Sequence, residues 1–392
     1  MAPKTDPDHL RFALSSDRAL TRPDTSHVWS PHSAATALSL LAAGASGEAL
    51  AVLTRLLAAT RGTLDGHIAA LDAAVTACSD PIFTDGPNDR PLPGPGEPAP
   101  LDLVSVNDLY VRADRTVLPG FAAALAERPT AAVHRTDFTA DPERTRTKIN
   151  AAVAETTRGT IPDLLPAGAV TADTESVLLN ALWMQLAWAL PFDPGHTSDQ
   201  VFHTPGRDRP VPTMHQSGPF HLAEAAGLRM LTLAGHHGLF LDIILPLDDS
   251  AHPPVPTEDA YRALHRALLP QLVDVALPRF RVESGFELLP SLPGLAEAMG
   301  GTGGGLRGIT GDPLRVDAII HRAVLSVDEI GAKGAAATAV MMVMGAVPQH
   351  TGEFRADRPF TFVLRRGPAV LFLGRVTDPE DPGPARPLHR PR

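Results

Sequence analysis

Apolar residues recur at helical spacing over residues 8–21, at Leu10, Phe12 and Leu14, and again over 33–60, at Leu38, Leu41, Leu50, Leu53 and Leu57. That period predicts helices in both stretches. Inside the second, Ser46 and Glu48 ahead of an apolar run read as a helix start. The Ala-rich residues 66–77 predict a short helix, and 143–158 predict another that stops near Gly159 and Pro162. Elsewhere the period is two. Residues 104–111 alternate, and 177–183 are apolar enough for a buried strand. The runs 239–247, 273–282, 360–364 and 370–376 also read as strands. Helices therefore dominate the first half and strands the second. This predicts an α+β fold with mixed or antiparallel sheets rather than repeated βαβ units. No internal repeat is visible.

Composition then narrows the function classes. The 392 residues are 44% hydrophobic, enough for a large core in one large domain or two smaller ones. A net charge of −10, with no basic run, argues against a nucleic-acid surface. Cys78 is the only cysteine, so no intrachain disulfide forms. Charges occupy the first sixteen residues where a secretory leader needs an apolar run. The expectation is a cytoplasmic protein, extracellular only by an unrecognised export route. Seven of the twenty residues from 81 to 100 are proline, which predicts a loop. The run 334–352 carries no charge with His350 neutral. However, Gly334, Gly345, Pro348 and many alanines make it too weakly apolar for a membrane span.

Local catalytic motifs fail on inspection. Gly303 to Gly308 matches a dinucleotide-binding glycine pattern but follows a helical stretch instead of a strand. No phosphate-binding loop, zinc-protease helix or nucleophile-elbow pattern occurs. The pair His236 and His237 and the pair His215 and His221 are candidate metal ligands, but surface-loop histidines are commoner and no cysteine supports them. No metal, no cofactor and no enzymatic activity are expected.

Several blocks, in order along the chain, carry a resemblance. They are SPHS from Ser30 with ALSLL from Ala37, Ile149 and Asn150, and TRGTI from Thr157. Then come LNA from Leu179 with Trp188, PFDP from Pro191, VPTMHQ from Val211 and LPRF from Leu277. Last are HRAVLSVDEIG from His321, FRADRPF from Phe354 and LFLGRV from Leu371. Together they resemble the serpins, suicide inhibitors of proteases, over roughly residues 10–378. The resemblance implies a single serpin domain with about eight to nine helices, three β-sheets and an exposed reactive-centre loop at 328–352, followed by a tail at 380–392. It implies a covalent complex with a target serine protease. The loop is cleaved as bait, and its first part then inserts into the main sheet as an extra strand. A non-inhibitory serpin, acting as chaperone or small-ligand carrier, is the alternative.

An inserting strand alternates its faces. With Ala332 inward, Gly334, Ala336, Thr338, Val340 and Met342 follow it. Lys333, Ala335, Ala337, Ala339 and Met341 face out, so the one charge stays in solvent and a one-residue slip would bury it. Gly331 supplies a pivot, with Glu329 just before this hinge. The resemblance places the cleaved bond at Met344–Gly345, or secondarily at Gly345–Ala346. Met344 suits an apolar specificity pocket, so chymotrypsin-, elastase- or subtilisin-like proteases are the expected targets.

Ser30, Ser33, Asn180 and His321 match a hydrogen-bonded cluster under the opening strands of serpins, and Trp188 matches the tryptophan where the loop first enters. Two departures bear on speed. Lys333 stands where an acidic residue is usual and Gly334 where alanine is usual. Glycine costs a strand about 0.5–1 kcal/mol relative to alanine, so insertion is slowed. The proline-rich 81–100 segment occupies the place of a polyanion-binding helix, which with the acidic charge argues against heparin activation. The expected state is a monomer, with loop–sheet polymers formed when an open sheet accepts a neighbour's loop.

Overall fold

The computed structural model describes residues 5–22, 24–57, 64–76, 102–128, 130–185, 187–248, 252–300, 305–331 and 352–383. Helix α1 (Pro7–Leu20) starts where Asp6 accepts hydrogen bonds from the amides of Asp8 and His9. The predicted 33–60 stretch divides into α2 (Pro31–Ala43) and α3 (Gly47–Leu56). The break has a packing cause. A Cβ on Gly44 would lie 2.3 Å from Ile309 Cγ1, and the Gly308 amide donates to Gly44 O at 3.0 Å. Ser46 is the N-cap of α3, as expected, although its side chain makes no capping bond.

Helix α4 (Leu64–Thr76) follows, then α5 (Pro119–Ala126) and α6 (Pro142–Thr156). Asp141 caps α6, and Gly159 at φ 75 lies just beyond its end. Helices α7 (Glu258–Ala267), α8 (Leu288–Ser291), α9 (Leu295–Met299) and α10 (Arg307–Thr310) fall in the second half. Helices are thus less confined to the first half than expected. The motif around Gly303 lies partly outside the described residues, and Gly308 within α10 serves close helix packing.

The strands are β1 (His27–Trp29), β2 (Asp102–Arg112), β3 (Ala131–Thr136), β4 (Ser176–Gln185), β5 (Ser198–His203), β6 (Asp208–Ala225) and β7 (Leu228–Ala234). After them come β8 (Leu239–Pro246), β9 (Leu269–Pro278), β10 (Phe280–Glu287), β11 (Ala318–Val327), β12 (Gly352–Arg355), β13 (Phe360–Arg366) and β14 (Ala369–Val376). The strand expected over 273–282 is two strands. Pro278 ends β9 against Thr213 of β6, and Phe280 opens β10 against Val327 of β11. Pro278 has no N–H to continue the ladder, and Arg279 carries the chain from one sheet to the other.

Five strands in the order β10-β11-β4-β2-β3 form one mixed sheet. The others form a nine-stranded network, β1-β14-β13-β8-β7-β6-β9-β12 with β5 on β6. The long β6 is the hinge of that network. Its first part pairs with β5 and its last part with β7, so the network reads as two sheets sharing one strand. Three sheets are expected; the described strands form two connected sheets, because β6 joins what would otherwise be separate ones. A main core packs α1 and α2 between the sheets around Phe12, Trp29 and Leu38. A second core lies between α6 and the opposite face of the five-stranded sheet, with Ile149 and Val153 against Val177, Leu179 and Ile320. Among the described residues no helix is long and apolar enough to cross a membrane.

Candidate functional site

Sheet register brings the predicted polar residues together. His321 of β11 lies directly opposite Asn180 of β4, and Asn180 lies directly opposite Asn107 of β2. The three form one row across three strands, all on the face toward the main core and all fully buried. Asn180 donates to Asn107 Oδ1 at 2.5 Å, to Ser33 Oγ at 2.6 Å and to Ser33 O at 2.9 Å. Asn107 in turn donates to Ser105 Oγ and Thr130 Oγ1. Ser30 caps α2 by accepting from the Ser33 amide at 3.0 Å.

Hydrogen bonding assigns the His321 tautomer. The Ser30 amide donates to Nε2 at 3.0 Å, so the ring proton sits on Nδ1, which donates to Asn180 Oδ1. Trp29 meets the ring edge-on and Phe286 stacks against it. Burial pushes the imidazole down to about 3. The cluster is therefore neutral, directional and held between α2 and the sheet.

Above it the β11–β4 seam opens. These strands run parallel and pair only from Ala318↔Val177 to Val324↔Trp183. The last residues of β11 pair with β10 alone. Trp188 closes the gap. Its amide donates to Ile330 O at 3.1 Å and its Nε1 to Asp328 O at 3.0 Å. The Phe192 amide bonds Glu329 O at 2.8 Å. Glu329 is fully buried and accepts from Thr197 Oγ1 at 2.7 Å and from Arg279 at 3.3 Å. Arg279 also pairs with Asp381 at 3.0 Å. At the head of this turn Gly331 has φ 134, a conformation that favours glycine.

The structure thus joins Ser30, Ser33, Asn180 and His321 in one network and sets Trp188, Glu329 and Gly331 together at the mouth of the seam. Ala332 to Thr338 and Met344, Gly345 and Ala346 lie outside the described residues. Sequence reasoning missed Asn107 and Arg279. Asn107 left a signal, since it shares a face with the apolar Leu109 and Val111. Arg279 stood inside a quoted block, but its partner is fifty positions away in the chain. Among the described residues no group of three or more His, Cys, Asp or Glu side chains is placed to hold a metal ion.

The family model described as "Serpin (serine protease inhibitor)" matches residues 8–379. The chain belongs to the serpin family. Among curated serpins it is 29% identical to leukocyte elastase inhibitor of Bos taurus, over 95% of this chain and 98% of that protein. It is 31% identical to antithrombin-III of Mus musculus, over 71% of this chain and 63% of that protein. In fold it resembles uncleaved ovalbumin, with a TM-score of 0.78 at 21% identity over 96% of this chain and all of that one. Human thyroxine-binding globulin gives a TM-score of 0.76 at 21% identity over 96% of this chain and 98% of the other. The serpin relatives thus include protease inhibitors, while the fold alone is shared with a hormone-binding globulin.

Proposed function

We propose that this serpin is a suicide-substrate inhibitor of serine endopeptidases of the chymotrypsin, elastase or subtilisin kind, acting through one domain over about residues 10–378. One observation carries the reading. β11 and β4 are parallel neighbours with a short shared ladder, and the chain leaves β11 into a glycine pivot at their open end. A strand that turned back there would run antiparallel to both. It would replace one parallel seam by two antiparallel ladders, the more stable pairing per residue. To enter, it must part His321 from Asn180, the only polar pair directly facing each other across that seam in the described ladder.

Attack on the Met344–Gly345 bond, or on Gly345–Ala346, leaves the protease as an acyl-enzyme on the loop. Insertion then drags it away, and a displacement of about 1 Å costs a catalytic site roughly a hundredfold in rate. The elastase inhibitor among the relatives fits an apolar cleaved residue. Lys333 and Gly334 work against speed, and a slow inserter would behave as a substrate.

The experiment is incubation with chymotrypsin, elastase and subtilisin, read on a denaturing gel with mass spectrometry of the released peptide. A covalent complex of summed mass and a peptide starting at residues 345–347 are expected. Cleavage without a complex for all three would overturn the inhibitory reading and favour a non-inhibitory serpin.

A further inference from the structure

The turn that ends β11 already starts an antiparallel strand. The Asp328 amide donates to Gly331 O at 2.9 Å, and the Gly331 amide donates to Asp328 O at 3.3 Å. On its other side Gly331 makes an antiparallel bridge to Ala187, just beyond β4. Gly331 is thus in register with both strands at the mouth of their seam. Antiparallel partners step in opposite directions, so this register fixes the partners of any strand that continues inward from Gly331. Seven residues on, Thr338 would meet His321 and Asn180, which already face each other. Ten residues on, Met341 would meet Ala318 and Val177, the last pair of the described ladder. Met342, Val343 and Met344 would then fall between residues 315–317 and 174–176.

There the seam is clasped. Asp317 Oδ2 accepts from the Glu175 amide at 2.7 Å and from the Ser176 amide at 3.3 Å. The Asp317 amide donates to Ser176 O at 2.9 Å. Ser176 Oγ donates to Arg315 O at 2.7 Å, the Arg315 amide to Glu175 Oε2 at 3.1 Å and Arg315 Nη2 to Asp173 O at 2.9 Å. Most of these bonds have one charged partner, which makes them the stronger kind. Neighbouring strands lie about 4.8 Å apart, so a strand between β11 and β4 sets them about 9.6 Å apart. None of these bonds spans that distance. An inserted backbone remakes ladder bonds, but the side-chain bonds across the seam are lost.

We infer that this clasp opposes the last three residues of insertion, and that Asp317 is a positioning residue that sets where an acyl-linked protease comes to rest. The inference rests on the inhibitory reading above. With the clasp shut, the inserted strand ends at Met341, and three residues, about 10 Å of chain, stay slack before the protease at Met344. A slack tether leaves the protease undistorted, so water cleaves the acyl bond and releases it. Opening the clasp draws Met344 to the foot of the sheet and pulls the tether tight. The clasp therefore divides the acyl-enzyme between release and trapping.

The test uses the full chain with labelled peptides of residues 332–341 and 332–344, which supply the strand without a protease. Asp317→Asn and Ser176→Ala loosen the clasp. Asp114→Asn is the control, since it removes the 2.8 Å pair with Arg112 away from the seam. Peptide affinity is read by fluorescence anisotropy, and stoichiometry of inhibition with chymotrypsin, elastase and subtilisin. In the wild type and the control the three extra residues should add little affinity. In each clasp variant they should add about tenfold, with the shorter peptide unchanged, and the stoichiometry of inhibition should fall. A merely structural role would shift both peptides alike. If the wild type forms the covalent complex but neither clasp variant shows the length-dependent gain or the lower stoichiometry, the clasp inference alone is overturned; an equal gain in Asp114→Asn overturns it too. No complex with any of the three proteases, from wild type or variants, overturns the inhibitory reading and this inference with it.

Discussion

The row Asn107–Asn180–His321 in the five-stranded sheet is buried and carries no formal charge, whereas the buried cluster around Asp242 in the nine-stranded network is ionic. Asp242 accepts from Arg365 Nε at 2.7 Å, Tyr261 OH at 2.6 Å, Thr232 Oγ1 at 2.7 Å and His265 Nε2 at 3.1 Å. Burial pushes its carboxyl up, but Arg365 and His265 outweigh that and hold it well below the usual range. The cluster ties β7, β8, β13 and α7 together, where antiparallel neighbours flank each central strand. The neutral row instead crosses the parallel β11–β4 seam, which the proposed insertion requires to open. A neutral hydrogen bond contributes only about 0.5–1.5 kcal/mol net, so it can be broken and remade during a conformational change. A buried ion pair cannot be parted without stranding a charge. The difference in charge tracks the difference in the motion that the proposed insertion requires.

The sharpest way to break this comparison is Asp242→Ala. It strands Arg365, itself 1% exposed, and should cost about 3–5 kcal/mol in denaturant unfolding. A loss no larger than that of His321→Ala would refute the contrast. His321→Ala removes a neutral partner and leaves the Asn180 carbonyl and the Ser30 amide unmatched. It should cost about 1–3 kcal/mol and hasten polymer formation on warming, seen by native gel. A variant that is destabilised without any faster polymerisation would separate the cluster from the seam.

Acid should sharpen the comparison further. His321 and His32 are both pushed to about 3 by burial, with His9 adding to the shift of His32. Each titrates near 6.5 when unfolded, so between those values the unfolded chain binds more protons. Their contribution is complete above about pH 6.5 and is lost as pH falls towards 3, at up to about 1.4 kcal/mol per pH unit for each histidine. His321→Gln should remove about half of that slope in denaturant titrations across pH 4 to 6.5, leaving the His32 half. An unchanged slope would contradict a buried neutral His321. The smallest effect is expected from Gly334→Ala, about 0.5–1 kcal/mol in favour of the inserted strand. It should appear as a lower stoichiometry of inhibition, with the reactive bond unmoved.

Much of the fold was legible because its signals are local. Helical spacing marked α1, and alanine content and stop residues marked α4 and α6, each to within one or two residues, and alternation marked β2. The order of short blocks carried the family. The α2–α3 break was hidden because the close approach of Ile309 and Gly308, far along the chain, makes it. The short α8 to α10 carry too few turns for a period. The strand at 273–282 misled because apolar residues continue from β9 past Pro278 into Phe280 and Val282 at the start of β10, and the change of partner strand is visible only in the pairing.

For the site, the sequence by itself determined which polar residues sit at inward positions of apolar strands, and where glycine and small residues make a hinge. Periodicity and backbone freedom belong to each residue and its near neighbours. Only the tertiary structure decided that Asn107, Asn180 and His321 share one row, that His321 carries its proton on Nδ1, and that Arg279 answers Glu329 while also holding Asp381. Those facts depend on strand register and on burial, which are set by partners tens to hundreds of residues away, so no local pattern encodes them.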